Sequence, residues 1–236
     1  SSMDYYMDKN ENAYGYNWTG YWSEYEKSRI YNATNAIKQL ATSLSFADAR
    51  FALIEFESLS EGATDFGESW NATRWTESAS ALAEKLPVSF VGTGRGTNYE
   101  DPLLDAKSLL KDVRENAKVV VVFVSDGNPG YYNTSSWPGY GGSASGYNET
   151  AMDRAQIVVS QMAGVDYFFT VGVGSQDNYD KLSNLTNEDD YPDKDNSPWS
   201  DKYTLPAGMT TSNLYGENSC LLYTSPRPRD PKTSRM

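Results

Sequence analysis

Residues 118–124 read KVVVVFV, and Ser125-Asp126-Gly127 follow directly. An unbroken row of β-branched and aromatic residues suits a strand, because branched side chains crowd the turns of a helix. Continuous rather than alternating hydrophobicity predicts a central parallel strand covered on both faces. Ser125-Asp126-Gly127 then stops it with turn-forming residues. Downstream, residues 149–163 place Ala151, Ala155, Val158, Val159 and Met162 on one helical face, and 165–173 (VDYFFTVGV) read as another strand. A short helix is expected over 177–185. Upstream, 99–115 align Leu103, Ala106, Leu110 and Val113 on a helix, and 76–86 (TESASALAEKL) are rich in helix formers. Residues 50–57 (RFALIEFE) read as a buried strand, with 63–74 as a short exposed partner. Residues 24–44 carry Ile30, Ala33, Ile37, Leu40, Ala41 and Leu44 at helical spacing. The stretches 4–23 and 128–147 read as loops. Strands alternating with helices predict an α/β fold with a parallel sheet, whose ligands bind beyond the carboxyl ends of the strands.

Composition narrows the function classes. The 236 residues carry 20 Lys and Arg against 32 Asp and Glu, a net charge of −12. Such a chain repels a phosphate backbone, so nucleic acid is not an expected partner. The absence of histidine excludes Ser-His-Asp and Cys-His catalysis. A single cysteine excludes a disulfide within the chain and a cysteine zinc site. The longest apolar run, 119–124, is far short of the ~20 residues of a membrane span.

Residues 220–236 (CLLYTSPRPRDPKTSRM) stand apart. Cys220–Asp230 resemble the peptide translated from a transposase-type sequencing adapter, and this segment is expected to be a non-native tail. It holds Arg227, Arg229, Lys232 and Arg235 against Asp230. Residues 1–219 therefore have 20 − 4 = 16 basic and 32 − 1 = 31 acidic side chains, a net of −15, and no cysteine. An acidic, cysteine-free, Tyr-rich domain suits an extracellular or cell-surface setting.

Three polar clusters carry the functional signal: Ser1-Ser2-Met3, Gly96-Thr97-Asn98 and Ser125-Asp126-Gly127. Together they resemble the von Willebrand factor A (VWA) domain with its metal-ion-dependent adhesion site. Ser2 matches the second Ser of the family's D-x-S-x-S, Thr97 the loop Thr, and Asp126 the strand-end Asp. The GVG at 172–174 fits the end of the following strand. The resemblance implies a Rossmann-like three-layer fold over 1–187, with a mostly parallel central sheet flanked by helices. The first strand, and the leading Asp and Ser of the motif, would precede Ser1. Residues 188–219 would form an acidic, irregular C-terminal segment.

The resemblance further implies Mg²⁺ or Mn²⁺ held by Ser2, Thr97 and Asp126, since hydroxyl and carboxylate oxygens are hard ligands. Missing two ligands, this chain would hold the ion weakly. The ion would attract an acidic side chain of a protein ligand, with Arg95, Asn98, Asn128, Tyr131 and Tyr132 as the binding rim. The expected function is a divalent-cation-dependent adhesion module, with no catalytic residues, from a larger secreted or surface protein. It is similar to VWA domains of Gram-positive surface and pilus adhesins. Two alternatives are a glycoside hydrolase with paired carboxylates, which needs no histidine, and an intracellular VWA scaffold.

Overall fold

The valine run forms a strand, but not the expected sheet. The structure is a computed structural model that describes residues 6–7, 13–14, 29–67, 73–87, 96–136, 139–143, 146–173 and 181–186. Its elements, in order, are β1 (Tyr6–Met7), β2 (Ala13–Tyr14), α1 (Arg29–Leu44), β3 (Ile54–Phe56), β4 (Ser60–Ala63), α2 (Ala79–Lys85) and α3 (Glu100–Leu109). They continue with β5 (Val120–Ser125), β6 (Tyr131–Asn133), β7 (Tyr140–Gly142), α4 (Glu149–Ser160) and β8 (Tyr167–Gly172). Single 3₁₀ turns extend α1 and α3 and cover Leu182–Thr186.

Among the described residues the strands form four two-stranded sheets. Three are antiparallel: β1 with β2, β3 with β4, and β6 with β7. Only β5 and β8 pair in parallel, in register from Val120↔Tyr167 to Ser125↔Gly172. This overturns the expectation of a Rossmann-like VWA fold with one mostly parallel central sheet, so the VWA and adhesion-site description fails as an account of the architecture. The physical reason is local. After β3 the chain reverses through residues 57–59 and satisfies its ladder with β4, a closure that needs few residues. A parallel partner needs a long crossover. The partner strand expected within 63–74 is accordingly earlier, at Ser60–Ala63. The loop expected over 128–147 contains the β6–β7 hairpin.

The β5–β8 pair is nevertheless the floor of the core. Phe123 and Phe168 from its inner face pack with Tyr99 and Leu103, with Met152, Ala155, Val158 and Val159 of α4, and with Leu182 and Leu185. Phe56, Tyr99 and Phe123 form a ring cluster with centroids 4.8–6.4 Å apart. The two strands are also tied at their start, where Asp166 accepts from the Val119 backbone N–H at 2.9 Å and from Lys118 Nζ at 2.8 Å.

The outer face departs from the sequence expectation. Val120 is 49 % exposed and Val122 37 %, so the strand is covered on one face only. Leu40 and Leu44, at the far end of the apolar stripe of α1, are likewise exposed. Helix starts follow the expected chemistry: Ser78 caps α2 and Asn148 caps α4, each accepting from the N–H three residues on. No helix among the described residues is long and apolar enough to cross a membrane.

Candidate functional site

Beyond the carboxyl end of β5 the chain turns at Asp126 and runs to β6, and this turn meets the loop that precedes α3. Thr97 O accepts from the N–H groups of Gly130 and Tyr131 at 2.9 and 3.0 Å. Tyr99 Oη donates to Gly127 O at 2.5 Å. Asn98 bridges to Tyr131 by backbone pairing and donates from Nδ2 to Asn133 Oδ1 at 2.8 Å. Two of the three expected clusters, around Thr97 and around Asp126, are thus joined by hydrogen bonds. Ser2 and Arg95 lie outside the described residues.

The close approach of the two loops depends on a missing side chain. A Cβ on Gly96 would fall 1.8 Å from Tyr131 Cε2, so the tyrosine ring lies directly on the glycine backbone. Tyr131 also packs on Tyr140 across the β6–β7 hairpin, with ring centroids 4.8 Å apart.

Asp126 is buried, and its carboxylate faces a cation supplied by the chain itself. Arg29, the first residue of α1, donates from Nη1 to Asp126 Oδ2 at 3.2 Å, with side chains only 2 % and 7 % exposed. Thr97 and Asp126 have the oxygen chemistry that a hard divalent ion requires. In this arrangement Asp126 Oδ2 already faces a buried guanidinium, and Ser2, the third expected ligand, lies outside the described residues. Among the described residues no group of three or more acidic or cysteine side chains is placed to hold a metal ion.

The remaining rim residues serve the loops themselves. Asn128 Oδ1 accepts from the Lys181 N–H at 3.0 Å, tying the turn after β5 to the segment beyond β8. Asn98 Oδ1 accepts from the N–H groups of Glu100 and Asp101, which makes Asn98 the capping side chain of α3. The ring of Tyr132 lies 5.2 Å from the Arg154 guanidinium carbon, a cation–π contact.

A second ionic centre lies behind this rim, and sequence reasoning missed it. Arg154 of α4 meets Glu100 of α3 at 3.2 Å, with both side chains buried. Asn133 is its hub. Its N–H donates to Glu100 Oε2 at 2.8 Å, its Nδ2 to Asp101 Oδ1 at 2.6 Å, and its carbonyl accepts from Arg154 Nη1. Asp101 Oδ2 accepts in turn from the Ser60 N–H at 2.6 Å, linking the network to β4. The signal was present in the spacing. Arg154 falls three residues after Ala151, and Glu100 three before Leu103, so each is a charge on the apolar face of its helix.

Comparisons with protein-family models, with curated proteins and with solved structures return no match for this chain.

Proposed function

We propose that this chain is a protein-binding module of a larger secreted or surface protein, that it carries no catalytic machinery, and that it works without a bound divalent ion. The observation that carries the reading is the Arg29–Asp126 pair inside two loops that are hydrogen-bonded to each other. A buried carboxylate needs a partner charge, and here a guanidinium satisfies that need. The loops around it are held in one arrangement before any ligand arrives, which lowers the ordering cost of association. Both buried carboxylates at this end of the core, Glu100 and Asp126, are engaged by arginines. That suits a structural role better than proton transfer at a substrate.

The contact surface is aromatic. Tyr131 and Tyr140 are partly exposed and Tyr147 is 41 % exposed on the adjoining loop. Tyrosine offers large contact area at low entropic cost and is enriched where proteins meet. Surface plasmon resonance against a panel of immobilised matrix glycoproteins tests this. Binding is expected to persist in EDTA and to fall at least tenfold in Tyr131→Ala. A response abolished by EDTA and restored by Mg²⁺ would overturn the ion-free reading, and one unchanged in Tyr131→Ala would overturn the assignment of this face.

A further inference from the structure

Among the described residues no strand pairs with the outer edge of β5, and its geometry specifies what closes it. Val119 O accepts from the Asp166 and Tyr167 N–H groups, and Ser125 O accepts from the Val173 N–H. In a parallel ladder alternate residues direct both backbone groups to the same neighbour. With the register Val121↔Phe168 and Phe123↔Thr170, the odd-numbered residues of β5 therefore bond to β8. Val120, Val122 and Val124 direct their N–H and C=O groups away from β8, and no described residue takes them up. Phe56 of β3 packs its ring on Phe123 of β5, with centroids 5.2 Å apart.

The face above this edge is apolar and uncovered. Register places Val120 beside Tyr167, Val122 beside Phe169 and Val124 beside Val171 on the outer side. Val120 and Val122 are exposed, and the other four are only partly buried. A row of unpaired amide and carbonyl groups beside an apolar strip is a template for one thing, an extended backbone with apolar residues at alternate positions. The chain carries a net charge of −12, which attracts a basic segment and opposes a second copy of itself.

We infer that the Val120–Val124 edge binds an extended, basic strand of a partner protein, which adds to β5 as a third strand of the β5–β8 sheet. This surface is separate from the tyrosine-lined loops and does not depend on their role.

The experiment uses the full chain and synthetic peptides, read by fluorescence anisotropy. The probe is Thr-Val-Lys-Val-Thr-Val-Lys-Val-Thr. One control replaces both lysines by glutamate. The other carries N-methyl groups on its five central backbone nitrogens, which removes the donors on both edges. The basic peptide is expected to bind at least tenfold more tightly than either control. Val122→Pro deletes one outward N–H while leaving the bonds to β8, and is expected to weaken binding tenfold with an unchanged far-UV circular dichroism spectrum. If that variant does not fold, the methylated peptide on the unaltered chain decides alone. Equal binding of methylated and unmethylated peptides overturns the inference, as does dimerisation in the ultracentrifuge that Val122→Pro abolishes. The latter outcome assigns the edge to a second copy.

Discussion

Arg154 meets Glu100 and Arg29 meets Asp126 at the same 3.2 Å, both pairs are buried, and both link a helix to a neighbouring element. Their surroundings differ. Arg154 also donates to the Asn133 carbonyl and lies over the Tyr132 ring, while Glu100 accepts from the Asn133 backbone. The Nε of Arg29 and that of Arg154 are both buried with no hydrogen-bond partner among the described residues, so the difference lies in the other contacts. A buried ion pair offsets its desolvation better as more of its polar groups are engaged. Among the described residues the first pair is therefore the more thoroughly cross-linked, and the second stands at the end of the sheet where the loops meet.

Double-mutant cycles in urea put that difference in numbers. Arg154→Met is expected to destabilise the fold by about 5 kcal/mol, because it strands Glu100 inside a network, and Arg29→Met by about 3 kcal/mol. The coupling energy of Arg154→Met with Glu100→Gln should exceed that of Arg29→Met with Asp126→Asn. Equal couplings would break the distinction between the two pairs.

A third carboxylate sharpens the comparison because no arginine among the described residues pairs with it. Asp153 precedes Arg154 on α4 and is half-buried, and its pKa is raised from 3.8 to about 6, first by burial and then by repulsion from Glu149. The folded state thus favours the protonated form. The destabilisation is absent below pH 3.8, grows as the pH rises, and is complete above about pH 6. Allowing for solvent screening at a half-exposed group, it amounts to about 1.5 kcal/mol at pH 7. Asp153→Asn is expected to be more stable than the parent at pH 7, with the gap closing by pH 4. Urea midpoints for the two proteins at both pH values check this, since other titrating groups cancel in the difference. A gap that widens on acidification reverses the assigned sign.

How far the sequence carried is visible in the same elements. The run 119–124 and the stretch 165–173 announced β5 and β8, and the helical spacing around Leu103 and Ala155 announced α3 and α4. These patterns are local, and the packed core follows them. Pairing is not local. Nothing in RFALIEFE says whether its ladder closes on Ser60–Ala63 or on a distant parallel strand, and the short reversal at 57–59 decided it. Nor does an apolar run show that both faces find cover; Val120 and Val122 do not. At the site, Asp126 was legible as part of a strand-ending turn, while Asn98 was read as binding rim and its capping of α3 was missed. Arg29 was not legible, because its meeting with Asp126, 97 residues away, is a product of tertiary packing. The sequence-based expectation assigned that carboxylate to a metal, and the structure sets the Arg29 guanidinium beside it.

The smallest effect tests the inner face of the sheet against its rim. Thr170 pairs in register with Phe123, is 3 % exposed, and holds a hydroxyl with no hydrogen-bond partner among the described residues. The carboxylates of the rim face arginines, whereas this hydroxyl lies on the inner, core-facing side of the sheet. Valine has the same branched shape and lacks the desolvated oxygen, so Thr170→Val is expected to stabilise the protein by about 1 kcal/mol. Differential scanning calorimetry reads the change as a rise of a few degrees in Tm. A fall instead would mean that the hydroxyl is satisfied in solution, by a water held between β8 and α4, and that the inner face is less dry than its packing implies.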